Sequence, residues 1–404
     1  MTVPIGTGFD PVDAAVLRDP YPSYAWLLRH DPVHRGTNGV WYVTRYDDVR
    51  TVLGEARFER AGIRDFWAEL VGPGPLSEVL RHAIFFQDDP DHARLRALIG
   101  PAFTPRLIRL LRARIERTAD DLLRPLRPRG AMDVVNDFAY PLALATISEL
   151  IGMPARDRDA LRAWSVDIAP TLDLLASPEE IARGQAAMGQ FVAHLTELIR
   201  DRRENPGDDL VSALLAATGD PRPIGTDALI GTAVALVFAG HDTVTNQIGN
   251  GVLAFLRHPR QLALLRAEPD RLPAAVEECL RYDSSVQSNS RQLAADLELS
   301  GTRLPAGDIV VALIGAANRD PARFAEPDRF DIGRVQRPAM SFGAGMRFCL
   351  GALLARMELK AALGRLTGLP GLRPAIPEDE LVYRRSSMFR GVVSLPVTFA
   401  AGVP

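Results

Sequence analysis

A chain of 404 residues, 47% hydrophobic and 24% charged, can bury a large core. Its net charge of −3 excludes a generally nucleic-acid-binding surface, and two cysteines, Cys279 and Cys349, exclude a disulfide scaffold. No run of 18 or more uninterrupted apolar residues occurs, and the N-terminus lacks the basic-then-apolar pattern of a signal peptide. These features predict a cytoplasmic protein with no membrane partner.

Residues 1–20 read as a tail that packs late, ending at Asp19-Pro20. A short helix follows at Tyr21–His30, then strands Val33–Arg35 and Val40–Thr44 around Asn38-Gly39, a strong hairpin signal. Asp47–Leu53 is helical. From Glu55 to Phe86 no steady period is evident, and Gly72-Pro73-Gly74-Pro75 lies inside. The segment reads as a functional loop closing over something apolar through Phe66, Trp67, Phe85 and Phe86. Asp88-Asp89-Pro90-Asp91-His92 opens a helix with acids in its first turn, and Pro105 to about Leu123 forms a second. Arginines 106, 109, 112, 114 and 117 make that second helix basic, as a solvated face would be.

Further helices are expected at Pro141–Ile151, Arg156–Ile168, Pro178–Arg203 and near Asp209–Ala217, with a loose apolar stretch at Ala169–Ser177. Thr226 reads as the N-cap of a very long helix reaching about Arg257, which must cross the core. Leu272–Tyr282 is helical, and the polar run Ser284–Ser290 follows it. Short strands are expected at Arg291–Ala294, Leu297–Leu299 and Ile309–Ala312, then an irregular meander over Asn318–Asp331. After an apolar helical run at Ala352–Leu363, Val382–Arg385 and Val392–Phe399 look like a closing hairpin. Neither an internal repeat nor a linker divides the chain, so residues 1–404 are expected to form one domain.

Three constellations carry chemistry. In Ser341-Phe-Gly-Ala-Gly-Met-Arg-Phe-Cys-Leu-Gly351, glycines allow positive φ and close approach, and Phe342 and Phe348 are placed to wall off Cys349. The helix start beyond it favours a thiolate over a thiol. A cysteine taken alone is usually small apolar packing, as Cys279 is expected to be. Second, Ala239-Gly240-His241-Asp242-Thr243 interrupts an apolar helix. A glycine there costs on the order of 1 kcal/mol against alanine, and Thr243 could bond to the i−4 carbonyl. This is either a side chain satisfied by its own backbone or a local opening where small molecules sit and protons are relayed. Third, Glu278 and Arg281 share a helix face at i,i+3, a common spacing worth about 0.2–0.5 kcal/mol at a surface.

The spacing Phe342-x-x-Gly345-x-x-x-Cys349-x-Gly351 resembles the haem-binding loop of the cytochrome P-450 family. The resemblance extends in order through His92/Arg96, Ala239–Thr243, Glu278/Arg281, Arg291 and Arg329 of Pro327-Asp-Arg-Phe330. It implies a mainly α domain with small β sheets, with haem b between the long central helix and the Cys349 helix. Cys349 would be the axial iron ligand, a thiolate that favours O–O cleavage. Ala239, Gly240, Phe342 and Gly351 would lie at the cofactor, where Asp242 and Thr243 match an acid–alcohol pair that manages proton delivery. His92 and Arg96, one helical turn apart, together with Arg291 and Arg347, match propionate partners. Glu278 and Arg281 would lock to Arg329 in a structural triad.

The activity so implied is monooxygenation of a small organic substrate by O2. Electrons would come from a separate ferredoxin and its reductase, since no Gly-x-Gly-x-x-Gly strand–helix unit is appended. Soluble bacterial members of that family often tailor natural products such as polyketides or terpenoids. A haem-thiolate peroxygenase or isomerase and a haem-binding sensor are the alternatives; Asp242-Thr243 counts against the first, and the lack of an output module against the second. Pocket walls are expected at Phe66–Trp67, Phe85–Phe86, Asp167–Leu175, Leu236–Ala239, Ser285–Asn289 and Ser387–Phe389.

Overall fold

The computed structural model describes residues 9–100, 105–216, 224–335 and 337–402. Residues 1–8 of the expected tail and Ala217 lie outside them. The chain divides into two compact units: Met1–Glu59, Leu123–Ala139 and Thr243–Pro404 make the first, Arg60–Leu122 and Tyr140–Asp242 the second.

The first unit holds the sheets. Five strands run in the order Val33–Arg35, Trp41–Val43, Ile309–Leu313, Ser288–Leu293, Phe58–Glu59. Trp41–Val43 pairs in parallel with Ile309–Leu313, and the other pairings are antiparallel. Gly39 takes φ 81° at the expected turn, a conformation cheap only for glycine. Helix Tyr46–Gly54 contributes Val49, Val52 and Leu53 to a core shared with Val43, Val310 and Ala312. Of the expected tail, residues 9–20 pack onto the unit: Asp13 caps a helix at Ala14–Arg18, and Phe9 is buried with its ring edge-on to Tyr42 at 5.1 Å.

The expected closing hairpin is cut short. Tyr383 bridges Val392 in antiparallel sense, held by the Arg384 N–H on Gly391 O (2.9 Å) and the Val393 N–H on Val382 O (2.8 Å), but Pro396–Thr398 pairs instead with Ala131–Asp133 and Arg373–Pro374. The Asp133 carboxylate redirects the chain by accepting hydrogen bonds from Ser394 Oγ (2.7 Å) and the Leu395 N–H (3.0 Å).

In the second unit, the segment expected to be a loop contains two helices, Ala61–Val71 and Pro75–His82, and a turn at Ile84–Phe86. Ile63, Phe66, Trp67, Leu70 and Val71 recur at helical spacing, a period hidden by the Gly-Pro cluster beside it. That cluster is the corner between the helices, with Gly72 at φ 72° and Gly74 at φ 144°. Gln185, from helix Pro178–Glu204, fastens the corner by donating to Val71 O (3.0 Å) and accepting from the Leu76 N–H (3.0 Å).

Helix Thr226–Arg257 runs unbroken through 32 residues, beginning in the second unit and ending in the first. It and Val134–Ile151 are long and apolar enough to cross a membrane, but 67% and 72% of their apolar windows are buried in the protein. That burial marks them as core helices.

Candidate active site

The Cys349 loop lies wholly in the first unit. Gly343 (φ 74°) and Gly345 (φ 65°) fold it, and the Cys349 N–H donates to Phe342 O at 2.9 Å. A methyl group on Gly351 would stand 3.9 Å from the sulfur. The rings of Phe342 and Phe348 flank the loop, 6.3 Å apart and tilted. Cys349 is exposed, so the protein alone does not wall it off as expected: Phe348 is itself exposed. The adjoining helix Ala352–Thr367 braces the loop through Arg356, whose guanidinium lies 4.4 Å from the Phe342 ring centroid and donates to Glu277 at 2.5 and 3.0 Å.

Behind the loop lies a buried ion network. Arg281 grips Glu278 with two 2.8 Å hydrogen bonds, both side chains almost fully buried. Arg281 also donates to the carbonyls of Asn318, Pro327 and Arg329 at 3.0, 2.8 and 3.0 Å. The expected third member is corrected: Arg329 contributes its carbonyl, while its half-exposed guanidinium pairs with Glu326 (3.1 Å) and Asp331 (3.8 Å). Arg334 closes the triad instead, 3.2 Å from Glu278 Oε1, to which the Asp331 N–H also donates at 2.9 Å. Asn318 couples this network to the loop: its amide donates to Ser341 Oγ (3.0 Å) and accepts from the Met340 N–H (2.6 Å). Arg334 and Asn318 were missed because the meander has no period from which to read side-chain direction. Cys279 behaves as packing: burial first, and Glu278 second, push its thiol well up.

Phe342, Arg347, Cys349 and Gly351 thus come together on one loop. Arg291 is buried on strand Ser288–Leu293, where its Nη1 donates to Ser290 O at 2.8 Å and contacts Asn289. In the second unit, His92 and Arg96 stand one turn apart on helix Asp91–Ile99, with His92 buried and its Nδ1 3.5 Å from Asp89. Ala239, Gly240, Asp242 and Thr243 are half-buried on either side of buried His241 on an unbroken helix, so the interruption there is one of side chains. The need for Gly240 is packing: a methyl group would fall 2.6 Å from Ile147 Cδ1, on helix Tyr140–Ile151. His241 makes a bond to an i−4 carbonyl, donating from Nδ1 to Val237 O at 2.7 Å.

One cysteine is an incomplete ligand set for a bare ion, and among the described residues no group of three or more His, Cys, Asp or Glu could hold one. A lone cysteine on such a loop fits a metal that brings the rest of its ligands, as the iron of haem does. A family model described as Cytochrome P450 matches residues 159–367. The crystal structure of CalO2 aligns with a TM-score of 0.95 at 55% identity, over 98% of this chain and 100% of that one. Vitamin D(3) 25-hydroxylase of Pseudonocardia autotrophica is 40% identical over 94% of each chain. The 6-deoxyerythronolide B hydroxylase of Saccharopolyspora erythraea is 37% identical over 94% of this chain and 96% of that one.

Proposed function

The chain belongs to the cytochrome P450 family and is a haem-thiolate monooxygenase, and from that premise we propose which residues serve the reaction and on what substrate. Bound haem supplies the redox chemistry that activates O2 and inserts one oxygen atom into substrate. Cys349 would hold the haem iron through its sulfur, and the observation that carries this is its loop: two positive-φ glycines, an exposed thiol and a brace running through Asn318 to Glu278/Arg281. His92, Arg96, Arg291 and Arg347 would neutralise the cofactor's carboxylates, and Ala239, Gly240, Phe342 and Gly351 would line its site. Asp242 and Thr243 move the protons that reduction of O2 consumes. The cofactor is haem b.

Two relatives are by name hydroxylases of vitamin D(3) and 6-deoxyerythronolide B. We take from them a secondary metabolite, of polyketide or terpenoid kind, as the substrate, hydroxylated or epoxidised between walls that include Ser285–Asn289 and Ser387–Phe389. Electrons reach it from a ferredoxin and its reductase, in the cytoplasm. The whole chain acts as one domain, in keeping with its passing between the two units four times.

The test is spectroscopic. Reduced protein exposed to carbon monoxide should absorb at the thiolate-specific position, and Cys349→His should abolish that band while retaining haem. An unchanged band in the variant refutes the ligand assignment. Titration with polyketide lactones and terpenoids should shift the haem band from low to high spin, and a library without a single responder refutes the substrate class.

A further inference from the structure

Behind the Ser285–Asn289 and Ser387–Phe389 segments lies a buried ion pair that serves neither the Cys349 loop nor the Glu278 triad. Asp283, the residue that ends helix Leu272–Tyr282, sits 2.8 Å from Arg390 Nε, with both side chains about 5% exposed. Tyr21 Oη donates to the same carboxylate oxygen at 2.7 Å, and Arg390 Nη1 donates to Arg18 O at 2.9 Å. The pair therefore ties together the helix end, the N-terminal segment and the chain at residue 390.

Helix Thr226–Arg257 grips the same junction. Asn250 Nδ2 donates to both Asp283 O (3.2 Å) and Arg390 O (3.0 Å). Gln247 donates to Asp283 O (3.2 Å) and accepts from the Ser285 N–H (2.8 Å). From this junction the two segments leave side by side. The Arg390 N–H donates to Ser285 O and the Gln287 N–H to Met388 O, both at 2.8 Å, and Val286 bridges Phe389. Ser288 Oγ continues the pairing with a bond to Ser387 O at 3.2 Å, so the register that begins at the junction is carried along both segments.

We propose that the Asp283–Arg390 pair, with Asn250, positions these two segments as one wall and thereby sets the affinity and shape selectivity for substrate. The residues are positioning residues, for none of them has to touch the substrate. The proposal rests on the reading above that both segments wall the substrate site.

Two probes separate that reading from the proposal. Imidazole is small and reports on access to the haem iron; econazole is bulky and must also fit between the walls. The double variant D283N/R390Q removes both charges, so no unpaired charge is left buried. It should keep haem and the carbon monoxide band, and bind imidazole within about two-fold of wild type. Econazole binding should weaken about ten-fold or more, and hydrogen exchange at the Gln287 and Arg390 amides should quicken. Faster exchange with unchanged econazole affinity would reduce the pair to a structural tie and overturn the proposal, as would no change in either. Should the double variant fail to retain haem, N250L decides by the same two ratios. Wild-type protein that fails to ligate imidazole would instead sink the haem reading, a distinct result.

Discussion

Gly345 is pressed against Gly54, and the contact is one-sided. A methyl group on Gly345 would lie 2.6 Å from Gly54 Cα and 3.1 Å from its carbonyl oxygen, whereas one on Gly54 would stand 3.7 Å from Gly345 Cα. Gly345 also holds φ 65°, where a side chain costs roughly 1–2 kcal/mol before any clash. Gly54 ends helix Tyr46–Gly54, part of the sheet's core. This contact seats the Cys349 loop on that core.

Gly345→Ala should therefore lower haem content and shift the carbon monoxide complex away from the thiolate-specific band. Gly54→Ala should be nearly neutral, since its methyl meets only ordinary contact distances. Equal behaviour of the two variants in a haem titration would show that the loop's seat lies elsewhere.

Arg334 and Arg329 make a second contrast. Removing the Arg334 side chain leaves buried Glu278 short of a cation, and breaking a buried pair costs about 3–5 kcal/mol. Arg329 holds its acids at a half-exposed site, where surface substitutions stay within about 0.5 kcal/mol. Urea unfolding and haem retention should thus rank Arg334→Ala far below Arg329→Ala. The reverse ranking would restore Arg329 as the third member of the triad.

That exchange of arginines shows where reading from sequence stops. The long helix, the helix carrying Glu278 and Arg281, and the Cys349 loop were legible because periodicity or glycine placement declares them. In an irregular meander the backbone turns at every residue, so motif position says which stretch docks but not which side chain arrives. The Ala61–Val71 helix was lost for another reason: its apolar spacing is regular, but the Gly-Pro corner after it reads as a loop. Gly240 was half legible. Its smallness was plain, yet the cause, Ile147 on another helix, lies about 90 residues away in sequence. Contacts at that range leave no local pattern.

Acid stability should report on Asp133, the carboxylate that redirects the C-terminal chain. Burial raises its pKa, but hydrogen bonds from the Asn136 side chain, the Leu395 N–H and Ser394 outweigh it and hold the group below its ordinary 3.8. A depressed carboxylate stabilises the fold above the unfolded-state pKa, and that contribution is lost as pH falls through the folded-state value. The stability gap between wild type and Asp133→Asn should hold steady near neutrality and narrow only below about pH 4. Parallel melting curves down to the acid limit would mean that the carboxylate's charge contributes nothing.

Thr243 decides how the second constellation is understood. It follows Asp242 directly on an unbroken helix, half-buried, with the buried run Val244–Phe255 beyond it. A hydroxyl that only packs would affect stability; one that manages protons would affect the fate of electrons. Proton delivery is required only once O2 is being reduced, so Thr243→Ala should keep haem content, substrate affinity and first reduction close to wild type. Product formed per reductant consumed should fall about ten-fold or more, in line with the loss of a positioned proton donor, and the missing electrons should appear as peroxide or water. Thr243→Ser retains the hydroxyl and should recover most of the coupling. Any substrate that shifts the haem band serves for the assay. Wild-type coupling in the alanine variant would leave two explanations, a side chain that merely packs or a substrate hydroxyl acting in its place. Repeating the measurement with an analogue stripped of hydroxyls separates them: coupling that persists assigns Thr243 to packing, and coupling that collapses assigns the relay to the substrate.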